Sequence, residues 1–497
     1  MTGHSEYYTI LGISRGATLD EIRRAYRRAA RRLHPDATQE HGHTEEFLRV
    51  QKAFEILSDP KKRAAYDASL PEEKAPVQPV ALQVSYSRSA LARINEPQLV
   101  YAILELSPPP ESAQAQNQPA SVPLNLSLVI DCSTSMNGER MDTVKSAALE
   151  LLHQMHPQDV LSIVVFSDRA EVLLPAQRNP NFRRAQSQIR RISAGGGTEI
   201  YQGLQAGFLE VKRNCNKNSV NHLILLTDGR TYGDEEACLE VAGKAARSGI
   251  SISAVGIGEE WNDDFLDNLA QQTGGSSFYL SEARQIKTFL ENSIQRLNKI
   301  YAEQVRMELS LSPGVELREA YRLDQELAPL PTNSPIRIGT LNNAAKLSVL
   351  MEFLLAPMSL GAERLDLLSG TLRLVVPSRI DPDCNLPFTL SLPVSENTKT
   401  EKPSPEFSQA LLQLTLYRMQ ARAHRELAAG DIRKASRSLH YLASQLLAQD
   451  QHELAHTVAL EVENLQYDQS ISEKGKKDLK YGTRALLLPA NLEEKRQ

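Results

Sequence analysis

The spacing of apolar side chains changes four times along the 497 residues. In the first stretch Ile22, Tyr26, Ala29 and Leu33 recur at helical intervals, as do Phe47, Val50, Phe54 and Leu57. Each set makes one apolar stripe, and two such stripes bury against each other as a helical hairpin. Thr18 and Glu21 fit a capping box at the start of the first helix. Pro35 disfavours helical geometry at His34, and Asp59-Pro60 ends the second helix. From residue 122 to 300, short apolar runs alternate with helical patterns. Strands are predicted over 126–131, 160–166, 222–227, 250–257 and 277–280, with helices over 141–155, 181–192, 200–211, 234–246, 263–271 and 283–297. That order predicts a parallel sheet with helices on both faces.

Between 301 and 400 the period becomes two: Val305, Met307, Leu309, Leu311; Leu347, Val349, Met351, Phe353, Leu355; Leu372, Leu374, Val376; Phe388, Leu390, Leu392. These read as half-buried antiparallel strands. Runs over 80–87 and 98–106 read the same way, and we expect them to complete one β-sandwich with 301–400, the α/β domain being inserted between the two parts. Residues 401–466 return to helical spacing and predict three helices, with turns at Gly430-Asp431 and Asp450-Gln451; the basic run at 474–480, KGKKDLK, reads as a solvated tail. The expected organisation is multidomain: an all-α hairpin at 5–70, a linker at 71–79, the first part of a sandwich at 80–110, a doubly wound α/β domain with a parallel sheet at 122–300, the rest of the sandwich at 301–400, and an α-helical unit at 404–485. The residues 107–121, SPPPESAQAQNQPAS, read as a second disordered connection.

Bulk properties narrow the function classes. A net charge of −5 does not suggest a nucleic-acid or membrane surface. No apolar run reaches the roughly 18 residues that span a bilayer, and the N-terminus has no apolar signal core. The four cysteines, Cys132, Cys215, Cys238 and Cys384, have no CxxC spacing and read as free thiols in a reducing compartment. A soluble, cytoplasmic protein is expected.

Two constellations carry chemistry. The first is basic: Arg23, Arg24, Arg27, Arg28, Arg31 and Arg32 surround the apolar stripe of the first helix, and His34-Pro35-Asp36 follows at its end. The second lies at the end of the strand LSLVID. There Asp131-x-Ser133-x-Ser135 sets three oxygen side chains on alternate residues, so that they converge on one side of an extended segment. Asp228 ends another strand, and Gly195-Gly196-Gly197-Thr198 presents a hydroxyl before a helix. Ligands of such sheets bind at the carboxyl ends of the strands. Carboxylates and hydroxyls are hard ligands suited to Mg²⁺, Mn²⁺ or Ca²⁺ rather than Zn²⁺. Asp159 and Asp168 read as turn residues, Asp263 and Asp264 as a helix start, and Cys132 as pointing into the core.

Residues 5–70 resemble a J-domain, the DnaJ-type co-chaperone module, through Tyr7-Tyr8-x-x-Leu11-Gly12, Glu21-Ile22-x-x-Ala25-Tyr26-Arg27, His34-Pro35-Asp36 and the run from Ala53 to Pro60 with Arg63 and Tyr66-Asp67. The resemblance implies docking on a DnaK-type heat-shock chaperone and stimulation of its ATP hydrolysis. His34, Pro35 and Asp36 would act as the trigger, and Arg23, Tyr26 and Arg27 would lie on the docking helix. The zinc-binding CxxC repeats and the Gly/Phe-rich linker of DnaJ proteins are absent from the sequence. Residues 123–297 resemble a von Willebrand factor type A (VWA) domain with its metal-ion-dependent adhesion site. That implies Asp131, Ser133, Ser135, Thr198 and Asp228 around a divalent cation, Mg²⁺ first among the candidates, which accepts a carboxylate from a protein ligand. The sequence has no GxxxxGK[ST], GxSxG or HExxH motif, and His153 and His156 have no third partner. The expected function is therefore binding, not catalysis: an adaptor that recruits the chaperone to whatever the metal site holds. The alternative is an assembly scaffold in which the J-domain is incidental.

Overall fold

The computed structural model describes residues 6–11, 17–33, 43–69, 78–109, 122–231, 233–324, 326–343, 345–357, 363–396 and 403–486. They fall into two units that divide between Val77 and Gln78. His34, Pro35 and Asp36 lie outside the described residues, as do 71–77 and 110–121 of the two expected connections.

The first unit holds α1 (Glu6–Leu11), α2 (Leu19–Leu33), α3 (His43–Ser58) and α4 (Pro60–Ser69). The capping box forms as expected: Thr18 N donates to Glu21 Oε2 at 2.8 Å, and Glu21 N donates to Thr18 Oγ1 at 3.4 Å. The core is Tyr8, Leu11, Ala17, Ile22, Ala25, Val50, Ala53 and Leu57. Tyr26 and Phe54 stack beside it, with ring centroids 4.1 Å apart. Tyr8 Oη donates to Asp67 Oδ1 at 2.7 Å and accepts from Arg63 Nε at 3.0 Å, tying α1 to α4. Arg23, Arg24, Arg27 and Arg28 are exposed along α2.

The second unit opens with β1 (Ala81–Tyr86), β2 (Leu91–Ala92) and β3 (Gln98–Ser107). It continues through β4 (Leu124–Asp131), α5 (Glu139–Gln154), β5 (Val160–Phe166), β6 (Ala170–Arg178), α6 (Phe182–Arg190), α7 (Ile200–Arg213), β7 (Val220–Thr227), α8 (Glu235–Arg247), β8 (Ser251–Ile257), α9 (Asp263–Gln271), β9 (Ser277–Leu280) and α10 (Gln285–Leu297). Then come β10 (Ile300–Leu311), β11 (Val315–Leu323), β12 (Leu327–Leu330), β13 (Ile336–Asn342), β14 (Leu347–Leu355), β15 (Arg364–Val375) and β16 (Asp383–Ser395). It ends with α11 (Pro405–Ala428), α12 (Ile432–Leu447), α13 (His452–Asp468) and α14 (Glu473–Ala485).

The α/β sheet runs β6-β5-β4-β7-β8-β9. β4 and β7 are buried along their whole length. Side chains of α5, α6 and α10 cover one face and those of α7, α8 and α9 the other. The sheet is not wholly parallel as expected, because β6 pairs antiparallel to β5 at the edge. This strand is mostly exposed and contains Pro175, so it lacks the continuous apolar run by which the other strands are read.

Two further sheets, β1-β3-β14-β11-β12 and β13-β10-β15-β16-β2, share one apolar core. β3 pairs antiparallel with β14 from Gln98↔Leu355 to Leu106↔Leu347, so strands from before and after the α/β domain lie side by side. Strands β11, β12 and β13 were not predicted. α11 lays Phe407, Ala410 and Leu414 against Ile103, Tyr321 and Leu350 of the first of these sheets.

The basic run at 474–480 is not a solvated tail. It opens α14, and Lys477 and Lys480 are buried. Lys480 Nζ lies 2.5 Å from Asp263 Oδ2, 2.9 Å from Asp264 Oδ1 and 2.9 Å from Asp267 Oδ2. Arg484 clasps Asp267 with both terminal nitrogens, at 3.0 and 2.6 Å. Lys477 Nζ donates to Glu259 O and sits 4.9 Å from the centre of the Trp261 ring. A charged run in sequence suggests solvent exposure, but the carboxylate partners of Lys480 and Arg484 lie on α9, some two hundred residues earlier.

Glu326 stands near this cluster. Burial pushes its carboxyl up to about 7; Arg484 and Arg322 oppose the rise, and Asp267 and Asp324 add to it. A raised folded value makes its contribution to stability complete below about pH 4.5 and lost as pH rises through about 7. Glu326→Gln is expected to flatten the fall in melting temperature over that window; an unchanged pH profile would assign the fall elsewhere. Among the described residues, no helix is long and apolar enough to cross a membrane.

Candidate metal centre

β4 and β7 are adjacent parallel strands from which the chain order runs outward in both directions, and such a switch point leaves a crevice at the carboxyl edge. Asp131 is the last residue of β4, and Asp228 follows the last residue of β7. Both are buried, with Ser133 and Thr198 buried beside them, while Ser135 is exposed at the rim.

The site is tied together by short contacts. Asp131 Oδ1 accepts from Ser133 N at 2.7 Å, and Asp131 Oδ2 accepts from Thr227 Oγ1 at 2.6 Å. Ser133 Oγ lies 3.0 Å from Ser135 Oγ, and Ser135 Oγ donates to Asp228 Oδ1 at 2.7 Å. Thr198 abuts the next residue: a Cβ built on Gly229 would sit 2.9 Å from Thr198 Oγ1. The glycine turn before Thr198 is locked by backbone bonds, Gly195 N to Cys132 O at 2.7 Å and Thr134 N to Gly196 O at 3.1 Å. Gly196 has φ +87°, and a Cβ there would lie 2.6 Å from Asp168 Oδ2. Asp168 accepts from Gly197 N at 2.9 Å, so it holds the turn, in line with its reading as a turn residue.

The four residues Asp131, Ser133, Ser135 and Asp228 are thus linked directly, and Thr198 reaches them through Gly229. Cys132 is buried in the core on the α5 side, and burial, with Asp131 beside it, pushes its thiol up to about 12. His153 packs on Phe182, ring centres 4.2 Å apart.

Two residues were missed by sequence reasoning. Thr227 holds the second oxygen of Asp131. Arg140, in the first turn of α5, places Nη1 2.5 Å from Asp228 Oδ2 and 3.3 Å from Ser135 O. The signal was available in the run Asp131 to Arg140, where a lone cation follows the oxygen ladder by five residues.

The donor set fits a hard divalent cation. It offers two carboxylates and three hydroxyls, and among the described residues no group of three His, Cys, Asp or Glu side chains is placed to hold a metal ion elsewhere. Burial pushes the Asp131 carboxyl up to about 6 against the donors that surround it, with the charge of Asp228 adding to the rise. A cation between the two carboxylates would relieve both effects.

Comparison with known proteins agrees with this architecture. Residues 6–67 match the DnaJ domain family, and residues 125–292 match the von Willebrand factor type A domain family. One chain therefore holds a DnaJ domain and a VWA domain. Residues 405–489 match the Sll0103-like C-terminal alpha-helical domain. Over 395 residues the chain is 27% identical to the uncharacterized protein sll0103 of Synechocystis sp., covering 76% of this chain and 91% of that protein. Over 62 residues it is 53% identical to the chaperone protein DnaJ of Bacillus cereus, which is 12% of this chain and 17% of that one. The fold is similar to a von Willebrand factor type A structure from Catenulispora acidiphila, with a TM-score of 0.66 at 15% identity over 84% of this chain and 99% of that one. The ArnB paralog VWA2 from Sulfolobus acidocaldarius aligns with a TM-score of 0.52 at 17% identity over 82% and 99%.

Proposed function

We propose that this chain is a cytoplasmic co-chaperone adaptor. Its VWA domain grips a protein ligand through a divalent cation, and its DnaJ domain brings a DnaK-type chaperone to that ligand and stimulates the chaperone's ATP hydrolysis. The observation that carries the reading is the joining of Asp131, Ser133, Ser135 and Asp228 at one sheet edge in a chain whose first helices are 53% identical to DnaJ. Asp131, Ser133, Ser135, Thr198 and Asp228 would hold the cation, with Mg²⁺ preferred and Mn²⁺ or Ca²⁺ as alternatives. Bound there, it supplies a positive position that accepts a carboxylate from the ligand. The chain's own part is to fix the oxygens: Thr227 orients Asp131, Ser135 orients Asp228, and Asp168 holds the turn that presents Thr198. The role is binding, and no bond is made or broken.

Calorimetry tests the site. Titration with Mg²⁺ is expected to give a saturating heat with the full chain and none with Asp131→Ala; equal heats from the two would remove the metal reading. Pull-downs in Mg²⁺ and in EDTA then identify the ligands that depend on it.

A further inference from the structure

The ion pair at the edge of the metal centre has a consequence for how that centre is filled. Arg140 is a little over a third exposed, yet its partner Asp228 is fully buried. The cation sits in the first turn of α5, where the helix dipole disfavours positive charge. The groups that hold it are Asp228 and the carbonyl of Ser135, both outside its own helix. Space for the guanidinium is kept by Gly258, whose φ is +73° and whose missing Cβ would stand 2.7 Å from Arg140 Nη2. The charge count then matters. Asp131 and Asp228 together balance one dication; with Arg140 also in place, the same cluster would carry a net positive charge.

We propose that Arg140 is a tethered cation that competes with the metal for Asp228, so that filling the site requires this guanidinium to let go. This rests on the metal reading above. In the metal-free protein Arg140 neutralises Asp228 and keeps the site folded. It also sets the metal affinity below what the five oxygens alone would give. Its exposed flank lets it swing into water, which makes exchange possible without opening the core.

The test is Mg²⁺ calorimetry and thermal melting of the full chain, comparing wild type with Arg140→Gln, Arg140→Lys and the double variant Arg140→Gln/Asp131→Ala. Arg140→Gln is expected to bind Mg²⁺ about tenfold more tightly, since a screened, half-exposed charge opposing a dication is worth roughly that factor. Arg140→Lys should stay near wild type. In EDTA, Arg140→Gln should melt below wild type, because Asp228 is then buried without its counter-charge, and Mg²⁺ should raise its melting temperature by more than it raises that of wild type. Equal or weaker Mg²⁺ binding by Arg140→Gln overturns the competition and leaves the metal reading standing. If neither wild type nor Arg140→Gln gives more heat than the double variant, the metal reading falls and the competition with it.

Discussion

Asp267→Ala is expected to loosen α14 from the VWA domain and to destabilise the second unit by about 3–5 kcal/mol, the cost of removing one partner from a buried ion pair. Arg484 is 5% exposed at its side chain and Lys480 11%, and Asp267 binds both. Burial alone would raise the Asp267 carboxyl; Arg484 and Lys480 overcome it and hold the group well below the ordinary carboxylate range. Its removal would leave two cations in low dielectric with only Asp263 and Asp264 near Lys480, and no carboxylate clasp on Arg484. The readout is built in. Trp261 is the chain's single tryptophan, 1% exposed, with Lys477 Nζ 4.9 Å and the ring centre of Tyr481 5.9 Å from its own ring centre. Its fluorescence should shift toward that of a solvated indole at lower urea in the variant. A transition midpoint that matches wild type would mean that the cluster adds nothing to stability. The depressed value also sets a sign: this pair stabilises above the ordinary aspartate range and weakens as pH falls, the opposite of Glu326.

That cluster also marks where the sequence stopped being readable. Asp131, Ser133, Ser135, Thr198 and Asp228 were legible as a group because each sits at the end of an apolar run or in a glycine turn, so local pattern fixes its place at the sheet edge. The insertion of the α/β domain was legible from the change of period alone, and the pairing of β3 with β14 follows it. Four things were not. β6 is an edge strand, whose polar positions and proline are what an edge requires and what a strand pattern penalises. β11 to β13 are short or irregular, with the register shift between Leu317 and Glu319 breaking the alternation in β11. In α14, Lys477, Lys480 and Arg484 recur at helical spacing, but the stripe is cationic, and a charged stripe announces burial only to a reader who already knows that α9 offers Asp263, Asp264 and Asp267. Arg140 escaped for the same reason, since its meaning lies in Asp228, eighty-eight residues away.

The second large effect concerns the DnaJ domain. His34→Gln in the full chain is expected to abolish the stimulation of a DnaK-type chaperone's ATP hydrolysis, while leaving the helical unit folded. The core of that unit is built by Tyr8, Leu11, Ile22, Ala25, Val50, Ala53 and Leu57, none of which is altered, so far-UV circular dichroism should not change. Arg27→Glu should act differently. Arg23, Arg24, Arg27 and Arg28 form an exposed cationic face on α2, and such a face governs encounter more than final affinity. Reversing one charge should slow association and reduce its dependence on salt, with stimulation recovering at high chaperone concentration. His34→Gln should not recover at any concentration if, as proposed, it removes the trigger rather than the approach. Single-turnover ATP hydrolysis across a chaperone titration separates the two behaviours. Should wild type give no stimulation, or should His34→Gln match a stimulating wild type, the chain would be an assembly scaffold, and whatever the VWA domain holds would be held without recruiting a folding machine.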